Sequence, residues 1–138
     1  MIGLDTNVLV RYFVQDDTDQ AEAAVAVMEG LSPERPGFVG LVVLVELHWV
    51  LRKAYGHPGD AVLTALEGLT QSDDLVVQER RQVHAAMRAA RDGADFADAL
   101  IGAAARQAGC AEIVTFDQGA SRTWRSPIGR RGSRAPAG

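Results

Sequence analysis

The chain has 138 residues, 47% of them hydrophobic, which suits one compact domain with a substantial core. No run approaches 18 apolar residues and the first residues do not have the pattern of a signal peptide, so we expect neither a membrane span nor a secretory leader. Its single cysteine, Cys110, and three scattered histidines exclude an internal disulfide and a Cys/His zinc site of the usual spacing, and they favour a reducing, cytoplasmic setting. The net charge of −4 is uneven, because residues 1–118 hold 9 Lys+Arg and 18 Asp+Glu (−9), whereas residues 119–138 hold five arginines and no acid (+5).

The hydrophobic pattern predicts short strands that alternate with helices. The predicted strands are residues 1–5, 38–40, 75–77 and 112–116. The predicted helices are residues 6–14, 18–30, 41–55, 60–70, 79–91 and 96–108. Strands that alternate with helices are typical of an α/β fold in which helices cover both faces of a parallel sheet.

After Asp117 the periodicity fades. A fifth strand would have to come from residues 123–128, which are poor in apolar side chains. We therefore expect a folded domain over residues 1–118 and a basic, partly disordered tail over residues 119–138, with disorder from about Gly129. The tail either contacts phosphates or is simply a solvated end.

Two aspartates stand at the ends of predicted strands, Asp5 after the first and Asp117 after the fourth. Parallel strands present their carboxyl ends at one edge of a sheet, which is where ligands bind in open α/β folds. The alternative for each residue is a helix N-cap, a position that aspartate fills well.

Glu46 lies in the middle of the long apolar helix predicted after residue 40. Its neighbours three and four positions away are all apolar: Val42, Val43, Trp49 and Val50. This pattern predicts a carboxylate buried without an ionic partner, which costs several kcal/mol unless the group is neutralised or bound to a cation. The alternative is a carboxylate that reaches solvent from the rim of a pocket.

Asp95 and Asp98 stand three residues apart across the start of the last predicted helix, so both can lie on one helix face. Asp95 can cap that helix and Asp98 can favour its dipole, which would make both residues structural. The apolar residues after Asp98 favour a functional role for it.

These acids form a constellation of hard oxygen donors without His or Cys companions. Such donors suit Mg²⁺ or Mn²⁺. Pairs of these ions support phosphodiester hydrolysis, because they activate water and stabilise the leaving oxygen. We therefore interpret the acids as metal ligands rather than as an acid/base pair.

Four segments together resemble PIN-domain nucleases, most closely the VapC-type ribonuclease toxins of bacterial toxin–antitoxin pairs. The resemblance extends to about residue 118, and its segments are LDTNVLVRYF (4–13), VLVELHWVL (43–51), DFADALI (95–101) and IVTFD (113–117). It implies a three-layer α/β/α sandwich with a central parallel sheet of four to five strands. The residues between IVTFD and the C-terminus depart from the family, which usually has a final strand there.

The resemblance also implies an activity and partners. It implies a Mg²⁺- or Mn²⁺-dependent endoribonuclease that cleaves tRNA, rRNA or mRNA, forms a homodimer and is neutralised by a cognate antitoxin. The residues that fall on the family's acidic core are Asp5, Glu46 and Asp98, with Asp117 on its fourth, more variable acid. The residues that would support these ligands are Thr6, Asn7, Asp95 and Thr115. Arg11 either meets an RNA phosphate or pairs with a surface acid.

Two other functions are compatible with parts of this pattern. The first is an interaction module that keeps the fold without a metal, its acids serving as caps; a buried Glu46 would argue against it. The second is a phosphotransferase of haloacid-dehalogenase type, which also places an aspartate after strand one. Those enzymes need a second aspartate two residues on, where this chain has Asn7.

Overall fold

Residues 1–80 fold around a parallel sheet of three short strands, which lie in the order β1 (Ile2–Gly3), β2 (Gly37–Val39) and β3 (Leu75–Val77). The computed structural model describes residues 1–119. Within these residues the chain forms two compact units, the first over residues 1–80 and the second beginning at residue 81. The α/β class and the parallel sheet are as predicted from the sequence.

The helices of the first unit follow the strands closely. They are α1 (Thr6–Phe13), α2 (Thr18–Glu29), α3 (Leu41–Trp49) and α4 (Gly59–Gln71), and a π-helical turn over Val50–Ala54 continues α3. Helix α1 packs on α2 and α3, and α3 packs on α4. Their buried residues include Leu9, Leu44, Leu47, Val62 and Leu66. Each such side chain contributes about 1.5–3 kcal/mol on burial, so this core holds the strand ends in place.

The middle strand runs through the most crowded point of the sheet. A Cβ atom on Gly37 would lie 2.9 Å from side-chain carbons of Leu31 and Leu4, and 3.0 Å from a carbon of Leu75. A larger residue at this position would have to displace these leucine methyl groups, which is unfavourable because the core around them is close-packed. This close packing fixes β2 against β1, and β1 is the strand that leads into Asp5.

The second unit contains two helices within the described residues. Helix α5 (Arg80–Arg91) begins at the last residue of the first unit, and α6 is Phe96–Gln107. The buried residues of α6 are Phe96, Ala99, Leu100, Gly102 and Ala103. Neither these helices nor the earlier ones include a segment with the length and hydropathy that a membrane crossing requires, within residues 1–119.

The predicted strand over residues 112–116 is not a strand in the structure. Val114 and Phe116 are exposed while Ile113 and Thr115 are half-buried, so the segment keeps the alternation of a strand. It forms no ladder, and a strand requires hydrogen bonds to an adjacent strand as well as alternation. The predicted count of four to five strands is therefore wrong for residues 1–119, which form three. The doubtful fifth strand and the tail beyond residue 119 lie outside the described residues.

Candidate functional site

Asp5 stands where β1 ends and α1 begins. The backbone N–H of Leu4 donates to the carbonyl oxygen of Phe38 at 2.9 Å, which ties the chain to β2 just before Asp5. Asp5 occupies the N-cap position of α1, but its side chain makes no capping hydrogen bond, and the residue is exposed. The N-cap alternative thus does not account for this carboxylate, which the sheet presents at its carboxyl edge.

Thr6 follows directly and is unusual in its hydrogen bonding. Its side chain is only 7% exposed, and its hydroxyl oxygen has no hydrogen-bond partner among residues 1–119. Leaving a buried hydroxyl unsatisfied costs about 1–3 kcal/mol, so such a group usually has a water or ligand as its partner. The next residue, Asn7, is exposed in the first turn of α1.

Glu46 is exposed, and the prediction that it is buried is wrong. Its apolar neighbours Val42 and Trp49 are themselves 71% and 60% exposed, so they line the same solvent-facing side of α3 instead of covering the carboxylate. The physical reason is that α3 is apolar on nearly all sides, so the pattern does not reveal which face is buried. An exposed carboxylate is hydrated and does not require a cation.

Gln78, a residue that was not predicted to take part, holds the start of helix α3, which carries Glu46. The side-chain oxygen of Gln78 accepts a hydrogen bond from the backbone N–H of Leu41 at 2.9 Å. The N-cap residue of α3 is Gly40, which has no side chain to do this. Gly40 directly before the helix was the only local signal, and it did not indicate a partner 37 residues away.

In the second unit, Asp95 caps α6. Its carboxylate oxygen Oδ1 accepts a hydrogen bond from the backbone N–H of Asp98 at 2.9 Å. This is the structural role that the sequence offered for Asp95. The bond also fixes the first turn of α6, where Asp98 lies.

Asp98 sits in a concentration of negative charge. Partial burial raises the pKa of its carboxyl group, and the charges of Asp95 and Asp117 raise it further. The carboxylates of Asp95 and Asp117 are therefore close enough to disfavour the negative charge of Asp98, and a bound cation would offset that effect.

Thr115 supports the backbone at Asp117, whereas its predicted role of orienting a carboxylate ligand or a water stays a prediction. The backbone N–H of Asp117 donates to the Thr115 hydroxyl at 3.0 Å, and Asp117 Oδ1 accepts from the N–H of Gly119 at 2.8 Å. Asp117 thus caps the helical segment that begins at Gln118, which is the N-cap alternative that the sequence left open for it. Gly119 was not predicted to take part.

Arg11 pairs with a surface acid. Its Nη1 donates to Asp16 Oδ1 at 3.0 Å and to the Tyr55 hydroxyl at 3.4 Å. This is one of the two roles that the sequence left open for Arg11, and a contact with RNA phosphate stays an untested prediction.

A match to a known protein family identifies the chain. The family model of the PIN domain matches residues 2–125. The chain belongs to the PIN domain family. PIN domains have a nuclease-type fold and are generally metal-dependent nucleases. No curated protein matches the chain.

The acidic residues of this PIN domain have the donor chemistry that a divalent metal ion prefers. They are hard oxygen donors, and the orphaned hydroxyl of Thr6 beside Asp5 is the type of group that an ion-bound water satisfies. Within residues 1–119, however, no group of three or more His, Cys, Asp or Glu side chains is arranged to hold a metal ion. The argument that a divalent ion fits these residues therefore rests on their oxygen donors and on the Thr6 hydroxyl.

Proposed function

We propose that this PIN domain is a Mg²⁺- or Mn²⁺-dependent endoribonuclease that hydrolyses phosphodiester bonds in RNA. The observation that carries the proposal is Asp5, a carboxylate at the carboxyl end of β1 that makes no capping hydrogen bond. It precedes Thr6, whose buried hydroxyl has no hydrogen-bond partner among residues 1–119. Family membership supplies the reaction class, since PIN domains are generally metal-dependent nucleases.

The proposed metal ligands are the four acids Asp5, Glu46, Asp98 and Asp117. When bound, the ion supplies an activated water and stabilises the leaving oxygen of the RNA backbone. Thr6 and Asn7 support the Asp5 end of this set, while Asp95 and Thr115 hold Asp98 and Asp117 through the hydrogen bonds described above. An exposed Glu46 can bind a cation without first leaving a buried environment.

We further propose that the nuclease is a VapC-type toxin that acts in the cytoplasm, forms a homodimer and is neutralised by a cognate antitoxin. The exposed apolar residues beside Glu46 support a protein partner. Val42 and Trp49 give α3 an apolar surface next to a proposed ligand, and exposed apolar patches of this kind commonly mark interaction sites. An antitoxin segment placed there would cover Glu46 and block the acid from its ion.

The direct test is cleavage of tRNA, rRNA and mRNA by the purified chain with Mn²⁺, with Mg²⁺ and with EDTA. We expect cleavage with either ion and none with EDTA. Asp5→Asn and Glu46→Gln should each lower the rate by about 100-fold or more, because changing even an outer neighbour of a metal ligand typically lowers activity 10–100-fold. Equal cleavage by the wild type and both variants would contradict the mechanism.

A metal-free interaction module remains the second candidate, and two observations favour it. Glu46 is exposed, so it no longer demands a cation, and residues 1–119 contain no preformed group of three ligands. Calorimetric titration with Mn²⁺ distinguishes the two candidates. Absence of binding would favour the module, and binding that disappears in Asp5→Asn would favour the nuclease.

A further inference from the structure

Helix α5 carries a basic stripe, defined as Arg81, His84, Arg88 and Arg91. At 3.6 residues per turn these four side chains leave the helix within an arc of about 80°. The three arginines are exposed and His84 is half-buried. The buried residues of α5 leave the helix on the other side, and they are Gln82, Val83, Ala86 and Met87.

The stripe concentrates positive charge on an acidic protein. Residues 1–118 hold 18 acids and only 9 Lys+Arg, yet three of those nine cations lie on this one helix face. The helix itself contains no acid; Glu79 precedes it and Asp92 follows it. A surface charge distribution this uneven directs where a polyanion can approach.

Helix stability does not explain the stripe. Arg88 and Arg91 lie in the last turn, where cations favour the helix dipole. Arg81 lies in the first turn, where a cation is unfavourable by about 0.3–1 kcal/mol, and no acid in that turn compensates. A helix selected for stability alone would carry acids at its start.

We propose that the basic stripe of α5 binds the phosphate backbone of single-stranded RNA. This inference rests on the proposed nuclease function, which makes RNA the expected polyanion. From Arg81 to Arg91 the helix rises about 15 Å, so the arginines are far enough apart to contact different phosphates of one strand. Arginine suits this contact because its planar guanidinium binds phosphate through two parallel hydrogen bonds.

The stripe therefore contributes affinity and strand position, whereas the acids contribute the chemistry. A strongly acidic surface repels RNA, so a localised set of cations decides how a strand is bound. The tail arginines add positive charge as well, but they remain the same in every variant compared below and cancel from the comparison.

The experiment measures binding of a fluorescein-labelled 20-nucleotide single-stranded RNA to the full chain in EDTA, in an Asp5→Asn background, at several salt concentrations. The test variant is Arg81→Gln/Arg88→Gln. The matched control is Arg35→Gln/Arg106→Gln, which removes the same charge from two exposed arginines elsewhere. Circular dichroism checks that each variant is folded.

The test variant should bind about tenfold more weakly at 0.1 M salt. Its plot of log K against log salt should be shallower by about 1.4, since each phosphate contact to a single strand contributes about 0.7. The control should change affinity by less than about twofold. Arg81→Lys/Arg88→Lys keeps both charges and should retain the steep slope. If the double glutamine variant does not fold, the single variants Arg81→Gln and Arg88→Gln replace it, and each should lower the slope by about 0.7.

Equal slopes for the test and control variants would overturn the proposal. So would a stripe variant that binds RNA normally but loses binding to a polyglutamate peptide, since the stripe would then serve an acidic protein. If the wild type cleaves no RNA with Mn²⁺ but its RNA binding depends on the stripe, the nuclease proposal fails and the binding site stands. If the wild type cleaves RNA and the stripe variants bind RNA normally, the nuclease proposal stands and the proposed binding site fails.

Discussion

The two units hold their acids in different ways. In residues 1–80, Asp5 and Glu46 are exposed, and Asp5 makes no capping bond although it occupies a cap position. In the second unit, Asp95 and Asp117 each accept a backbone hydrogen bond, and the pKa of Asp98 is raised by burial and by its acidic neighbours. Acids of the first kind are placed only by the strand or helix that carries them, whereas those of the second kind also build the local structure.

This difference predicts that substitutions separate function from stability. Changing Asp5 should affect ion binding and leave the fold intact. Changing Asp95 should first weaken a helix start. The comparison thus distinguishes acids that the protein keeps for a ligand from acids that it also needs for folding.

The largest expected effect is on stabilisation by Mn²⁺. At a free concentration 100 times its dissociation constant, an ion that binds only the folded state raises the free energy of unfolding by about 2.7 kcal/mol. We expect this increase for the wild type and its loss in Asp5→Asn, while without metal the two proteins differ by less than about 0.5 kcal/mol. Thermal unfolding with and without Mn²⁺ measures both, and a large loss of stability in metal-free Asp5→Asn would contradict the comparison.

An intermediate effect is expected for Asp95→Ala. Loss of an N-cap typically lowers the free energy of unfolding by about 1 kcal/mol, and the fall should occur without any ion because the Asp95 carboxylate bonds to the backbone N–H of Asp98. Urea unfolding measures it. Asp95→Ser is the control, since serine caps helices nearly as well; if serine destabilises as much as alanine, the capping explanation is wrong.

The smallest effect concerns pH. The pKa of Asp98 is raised in the folded protein, so the folded state holds its proton to higher pH than the unfolded state does. Stability from this group is therefore present below pH 3.8, the ordinary pKa of an aspartate, and is lost as pH rises through the raised pKa. As the pH rises from below 3.8 through the raised pKa, Asp98→Asn should gain stability relative to the wild type, by only about a few tenths of a kcal/mol because solvent screens this partly buried group. Melting temperatures across this range test it, and a constant difference would contradict it.

The sequence predicted the regular elements well where the signal is local. Strand β3 was predicted at its observed bounds, Leu75–Val77, because a short apolar run stands between turn residues. The acidic positions could be named as candidates, since aspartates after apolar runs are visible without a structure, but their role as metal ligands is still a prediction. The gathering of those acids into one metal site is still a prediction.

The failures have a common physical cause, which is dependence on distant parts of the chain. Burial of Glu46 depends on what covers α3, and a helix that is apolar on nearly all sides does not show it. The strand predicted at 112–116 depends on a pairing partner, and the cap that Gln78 supplies to α3 comes from 37 residues away. The missing cap bond of Asp5 depends on side-chain geometry that residue type does not determine.

The exposed indole of Trp49 gives the protein an intrinsic optical reporter beside Glu46. The chain has two tryptophans, Trp49 and Trp124, so replacing Trp124 with phenylalanine leaves one emitter. Because the Trp49 side chain is 60% exposed, its fluorescence should have the long-wavelength maximum of a hydrated indole. A partner that covers this part of α3 will shift the emission to shorter wavelengths and shield it from quenching by iodide, so occupancy beside Glu46 can be followed in solution without any label.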